Sequence, residues 1–576
     1  MESESRLVRM CIEVACQSKE TVEIWRRQRR ILERIPSPLA DAILRRLLER
    51  RLLFPSLLEV FKQNVETVDL RAENTVDAEW MVYLGAFRYL RSLNLADSPR
   101  ITSSALWALT GINCLRELDL SRCVKVNDAG ISHLLSISTL EILRISETSV
   151  TAKGVALLSS LRNLSVLDLG GLPVSDSALR SLLVLAKLEY LDLWGSDISN
   201  EGVSLLPLFP RLSFLNLAWT CFTRLPRISS LQCLNLSNCT IESILEGLGD
   251  KVPLTKLILS GATFANEAEA FLHIELSSVS FLDVSKSSLR EFYFLPSMNL
   301  LEHLDLSTTM MGDDSIGLIA SIGANLRNLN LSKTRVTSAG MGILAEQLPK
   351  VESLSLSHAP VDDLTITYIA MMPSLKVIDL SNTNIKGFIY QEGAKTNSIP
   401  SLTALQNLNS LHSLNLENTQ IKDVALGAVS TLHQLKDVSL RSGSLTDETL
   451  NHFSSLSNLT NLCICDALLT NSGLDLFSPP SSLKLLDLRG CWLLTGEAIS
   501  LFHKKHPTFD IRHELLVVSS SEQSCSSHHH PSPSKTPTRP SPQTQKNGGT
   551  SLPLHYIDQR LKYSREELLA LQHRSV

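Results

Sequence analysis

Leu164-Ser165-Val166-Leu167-Asp168-Leu169 is followed 24 residues later by Leu188-Glu189-Tyr190-Leu191-Asp192-Leu193, and the two stretches share all three leucine positions. Working outward, the pattern Leu-x-x-Leu-x-Leu returns at Leu90, Leu115, Leu140 and Leu212, then from Leu231 to Leu483, mostly at steps of 22 to 25 residues. Val65, Val68 and Leu70 form a weaker opening copy, and His506, Phe509 and Ile511 a closing one. Self-similarity at this period marks a stack of small units, none of which can bury its apolar face alone.

The physics of one unit follows from the alternation. A short strand turns its aliphatic residues to one side and the residues between them to the other. Three positions after the last aliphatic comes a small residue, as at Cys123, Thr148, Ser196, Thr220, Thr309 and Thr334. The pattern resembles the leucine-rich repeat, in which a buried residue at this position ties down turn backbone that is otherwise unpaired. The second half, as in Asp128-Ala-Gly-Ile-Ser-His-Leu-Leu135, reads as a short helix behind a polar cap. The expected fold is an α/β solenoid with a parallel sheet on the concave face and helices on the convex one. At about 4.8 Å per strand, the sheet extends on the order of 90 Å.

Over residues 65–512 this pattern resembles the leucine-rich repeat. Its helical second halves resemble the intracellular repeats of ribonuclease-inhibitor-like and F-box-associated proteins, and the Gly-x-Ile-Pro signature of plant receptor ectodomains is absent. The resemblance implies a horseshoe of about 18 to 19 repeats across residues 65–515, preceded by a helical cap or adaptor-binding box over residues 1–64. Two steps break register. The step from Leu212 to Leu231 is short, and Phe222-Thr-Arg-Leu-Pro-Arg-Ile228 is too brief for a full helix, which predicts a change of curvature. The step from Leu375 to Leu411 is too long, and its excess near residues 388–398 is expected to leave as a loop.

Bulk properties narrow the function. A net charge of −5 over 576 residues creates no field that draws nucleic acid or an anionic membrane. No stretch approaches the roughly 18 apolar residues that span a bilayer. Eleven cysteines lie at irregular spacing, as in a reducing compartment. The charged start Met1-Glu-Ser-Glu-Ser-Arg6 leads into no apolar signal segment, so cytosol or nucleus is expected. Walker, His-Glu-x-x-His and Gly-x-Ser-x-Gly motifs do not occur, which predicts a binding protein without catalytic residues or cofactor.

Repeat register places individual side chains on the concave face. The residue before the second aliphatic of each strand gives a largely apolar run of Ile142, Val166, Tyr190, Phe214, Cys233, Lys256 and Phe281. The residue after it is mostly acidic or amide, as at Asp168, Asp192, Asn216 and Asn235. Trp194 and Trp219 lie just beyond the strands of Tyr190 and Phe214. Four aromatics in two adjacent repeats stand out because only 5% of the chain is aromatic. They predict a client-binding surface of Ile142, Val166, Tyr190, Asp192, Trp194, Phe214 and Trp219, although the acidic column also reads as a property of the repeat itself.

Before the repeats, Leu7, Cys11 and Ala15 fall at i, i+4 and i+8 on one helical stripe. This resembles the elongin-C-binding box, with Arg6 where the box has a small residue. Ile35, Pro36, Leu39 and Ile43 fit the cullin box in every position. The two boxes followed by leucine-rich repeats resemble the Zyg-type substrate receptors of cullin–RING ubiquitin ligases. That resemblance implies that Leu7 and Cys11 enter a pocket on elongin C and that the second box meets a cullin. The family's armadillo-like C-terminal region is not visible. The Ile35 stretch also resembles the start of an F-box, which implies a Skp-type adaptor instead. A plain helical cap over the first repeat accounts for the same residues.

Residues 516–555 turn to Ser, His, Pro, Thr and Gln, a composition expected to stay disordered. Order is expected to return over residues 556–576, where Tyr563, Leu568 and Leu569 match Tyr-x-x-x-x-Leu-hydrophobic. The segment resembles the helix by which many proteins bind the cap-binding translation initiation factor, and a helix that docks on the solenoid is the alternative.

Overall fold

A computed structural model describes residues 6–27, 35–390 and 398–515. The short strands form one nineteen-stranded sheet. Each pairs in parallel with the strand of the next repeat, so that Leu143, Leu167, Leu191, Leu215 and Leu234 lie in strict register. These leucines are fully buried, while the residues on either side of them stay half-exposed on the sheet face, apart from Asp192, which is buried. Strand Asp510–Arg512 ends the sheet against Leu485–Asp487.

The turn after each strand is held from both sides. The chain passes through a left-handed residue, φ +59° at Arg122, +70° at Gly171 and +59° at Trp219. On the sheet face, Asp168, Asp192 and Asn216 each accept the N–H two residues ahead, at 3.0 to 3.1 Å. Behind the sheet, the small residue does what its position predicts. The Thr334 hydroxyl donates to the Leu331 carbonyl at 2.6 Å, and the Cys123 thiol to the Leu95 carbonyl of the previous repeat at 3.1 Å. Backbone groups that the tight turn strips of partners are thereby satisfied.

The second halves return behind the sheet as short helices such as Asp128–Leu134, Ala152–Leu157 and Asp176–Leu182, capped by Asn127, Thr151 and Ser175. In the short repeat the return is extended instead. Arg224–Pro226 pairs in parallel with Ser243–Glu246 of the following repeat, because too few residues remain for a helical turn. The long step also differs from a plain loop. Phe388–Tyr390 and Ser398–Pro400 pair antiparallel, with Ile389 opposite Ile399. Buried Asp363 holds their base by accepting the N–H groups of Lys386 (2.9 Å) and Gly387 (2.8 Å) and the Ser401 hydroxyl (2.6 Å). Gly387 sits at φ +90°, and an added Cβ would collide with that of Ala425.

Ahead of the sheet stand α1 (Arg6–Ala15), α2 (Lys19–Arg27) and α3 (Ser37–Glu49). Ala40, Ile43, Leu44 and Leu47 of α3 are buried, and Ile12 and Cys16 at the inner side of α1 join the same core. Glu13 of α1 pairs with Arg46 of α3 at 2.7 Å and also with Arg50, which caps the C-terminus of α3. No helix among the described residues is long and apolar enough to cross a membrane.

Candidate functional site

The predicted client residues come together as the register requires. Ile142, Val166, Tyr190 and Phe214 occupy one column on four adjacent strands. Tyr190 and Phe214 stack face to face, with ring centroids 3.9 Å apart and planes 5° apart. Both are half-exposed, so the stack forms part of the surface. The partly buried Tyr190 hydroxyl is pushed up to about 12 by desolvation, with Asp192 and Asp168 adding to it.

The two tryptophans behave differently. Trp219 is 65% exposed, on a left-handed residue at the rim of the sheet. Trp194 is half-buried and lies against the Gly170-Gly171 pair of the preceding repeat, where a Cβ on Gly170 would strike the indole. The bare glycine pair therefore makes room for Trp194, a relation between neighbouring repeats that neither stretch announces by itself. Asp192 is buried, accepts the Trp194 N–H at 3.0 Å and receives the Asn216 amide at 2.9 Å. Burial raises its carboxyl to about 6 against those two hydrogen bonds. Asp192 thus closes its turn, as the acidic column does along the sheet.

The N-terminal residues divide between core and surface. Leu7 is 71% exposed and Cys11 is exposed, while Ala15 is half-exposed. Met10 and Val14, at 57% and 65% exposure, extend the same face, so that four apolar residues at i, i+3, i+4 and i+7 are uncovered. That spacing was available in the sequence around Leu7. Ile43 is 6% exposed, Ile35 and Leu39 pack against the core, and only Pro36 of the second box stands free. Tyr563, Leu568 and Leu569 lie outside the described residues.

Comparison with known proteins fits this geometry. A family model described as Leucine Rich repeat matches residues 111–135. The fold is a leucine-rich-repeat solenoid. The acidic leucine-rich nuclear phosphoprotein 32-related protein 2 of Caenorhabditis elegans is 29% identical over 110 residues, 18% of this chain. The chain spans about half of that relative's length, 48%. Among solved structures, an internalin of Listeria monocytogenes covers 67% of this chain and 93% of its own at 18% identity, with a TM-score of 0.39. A leucine-rich-repeat protein of Leptospira interrogans covers 78% and 95% at 17% identity, also with a TM-score of 0.39.

Chemically, what the described residues of the solenoid offer above all is a surface. Buried Cys123, Cys465 and Cys491 have thiols pushed up by desolvation to about 11, 12 and 12, the reverse of what a nucleophile needs. A rigid sheet with side chains fixed at strand spacing is instead suited to holding an extended protein surface. Near its first strands the same face carries a polar depression of about 410 Å³ lined by Asp69, Arg71, Glu117, Asp119 and Arg144. The apolar column begins on the last of these strands, at Ile142, and continues to Val166.

Proposed function

We propose that this protein-binding solenoid is the substrate receptor of a cullin–RING ubiquitin ligase, with α1 taking an elongin-C-type adaptor and the sheet face holding the client. One observation carries the reading: α1 is fixed to the solenoid by Ile12, Cys16 and Glu13 yet leaves Leu7, Met10, Cys11 and Val14 uncovered. A helix with apolar residues on both its inner and its outer side has a second surface to bury, and a groove on a partner is the usual answer. The separation of roles is economical. Ile35, Leu39 and Ile43 attach the helical segment to the repeats, and Leu7 with Cys11 offers the free face that the elongin box requires.

The test is calorimetric titration of the full chain with purified elongin B–C. The wild type is expected to bind with micromolar or tighter affinity, and Leu7→Ala/Cys11→Ser to lose at least about tenfold, or 1.4 kcal/mol. Because both side chains are exposed, the circular dichroism of the variant should match the wild type. Absence of wild-type binding, or a variant that binds equally well, rejects the elongin assignment. A parallel titration with a Skp-type adaptor then decides whether the same segment acts as an F-box.

A further inference from the structure

On the sheet face, Tyr190, Phe214, Cys233, Lys256 and Phe281 stand side by side on five consecutive strands of the sheet. Neighbouring strands are about 4.8 Å apart, near the separation at which aromatic rings stack, so such a column can carry one ring per strand. Tyr190 and Phe214 fill two of these places. Two strands further on, the Lys256 ammonium sits 4.3 Å from the centroid of the Phe281 ring, and that ring in turn faces His303 at 5.4 Å. Between the two groups comes Cys233. Its side chain is too short to cover the second face of Phe214, and it remains half-exposed. The column therefore contains a ring-sized gap, with the Phe214 ring on one side, Lys256 on the other and Cys233 as its floor.

The charge around the gap is one-sided. Lys256 is held by the face of Phe281, and no carboxylate among the described residues forms an ion pair with it. Next to the gap in the second column, Asn235 is engaged by the Ser237 N–H at 3.0 Å, and Ile258 adds a half-buried apolar side chain. A ligand group entering here meets an aromatic face, a thiol floor and one cation that pairs with no carboxylate among the described residues.

We propose that this gap receives one aromatic side chain of a protein partner, stacked on the free face of Phe214, and that an acidic residue beside it in the partner's sequence pairs with Lys256. This rests on reading the sheet face as the client surface. Ring stacking continues the ladder that Tyr190 and Phe214 begin, and the carboxylate supplies the counter-charge that Lys256 lacks among the described residues. A basic residue at the same place is repelled.

The test is selection of a phage-displayed random peptide library on the full-length chain, followed by affinity measurement of the enriched peptides. The expected result is enrichment of an aromatic residue within two positions of Asp or Glu. Cys233→Trp, which fills the gap, is expected to weaken the selected peptides at least about tenfold. Lys256→Glu, which also gives up the contact with the Phe281 ring, should shift the selected neighbour from acidic to basic. A selection that yields no binder, or no aromatic–acidic pair, overturns the proposal, as do peptides that bind both variants like wild type. In the last case, loss of binding in Tyr190→Ala/Phe214→Ala retains the client face but rejects the gap, and its persistence rejects both. Elongin B–C titrations of the same variants separate these outcomes from the adaptor role of α1.

Discussion

Asp128, the first residue of one helix, accepts both the backbone N–H (2.8 Å) and the hydroxyl (2.6 Å) of Thr151, the residue that caps the next. The same pair forms between Asp176 and Ser199, Asp313 and Thr337, and Asp447 and Thr470. Each cap thus both starts its own helix and ties it to the repeat before. The arrangement explains a glycine three residues after each cap. A Cβ on Gly154, Gly202, Gly340 or Gly473 would collide with the carboxylate that reaches in from the preceding repeat.

Two routes to breaking this link should therefore converge. Asp128→Ala removes the acceptor and leaves a cap half-satisfied, at a cost of about 1–2 kcal/mol. Gly154→Ala keeps the acceptor but pushes it away, and is expected to cost a similar amount. Urea unfolding of the double variant should show less than the sum of the two losses, because the second change removes a contact already gone. Strict additivity means that Gly154 serves some other purpose.

Trp194 offers a contrast within the candidate site. Gly170→Ala places a methyl where the indole lies, and overpacking of this kind costs about 1–3 kcal/mol. The displaced indole should become more exposed, with a red shift of tryptophan emission. Trp194→Leu in the same background should recover most of the stability by vacating the space. If Gly170→Ala is silent in both stability and emission, the glycine pair does not seat the tryptophan.

How much of this was legible in the sequence depends on the range of the interaction. The strands, their register and the face carrying Tyr190 and Phe214 follow from a period that repeats locally, so Leu167, Leu191 and Leu215 alone suffice to align them. The turn role of Thr334 follows as well, because donor and acceptor are three residues apart. Contacts between repeats were harder to see. The seating of Trp194 on Gly170 and the Asp128–Thr151 link each join positions about one repeat apart, and no local pattern marks them. The pairing at the base of the long step is not legible locally, because Asp363, which holds it, belongs to the helix before it. At the N-terminus, spacing identified Leu7 and Cys11, but only the packing of Ile12 and Cys16 shows which side of α1 is left free.

The stack of Tyr190 on Phe214 should be measurable as a coupling. Each single alanine variant loses the stack, so a double-mutant cycle is expected to return about 0.5–1.5 kcal/mol of interaction energy. Trp219→Ala, by contrast, should leave stability within about 0.5 kcal/mol of wild type, since its side chain is 65% exposed. A client that uses this face should lose affinity with Trp219→Ala nonetheless. A client that binds Trp219→Ala and Tyr190→Ala as it binds the wild type is held elsewhere.

Asp192 gives the face a pH dependence whose sign is fixed by its burial. Desolvation lifts the carboxyl to about 6, outweighing the Trp194 N–H and the Asn216 amide that favour its charge. In the unfolded chain an aspartate titrates near its ordinary value of about 3.9. Between about pH 4 and pH 6 the folded state therefore keeps a proton that the unfolded state has released, and linkage makes folding less favourable as pH rises through that window. Above about pH 6 the full penalty of a buried charge is in force. Asp192→Asn removes the titration, and any fixed cost of facing Asn216 with an amide does not vary with pH. Urea unfolding of both proteins from pH 4 to pH 7.5 isolates the effect from other carboxylates. The stability of wild type relative to Asp192→Asn is expected to fall by about 2 kcal/mol across this range, with most of the change below pH 6. A constant difference would mean that the Asp192 carboxyl titrates as a solvated one, and that the turn it closes is open to water.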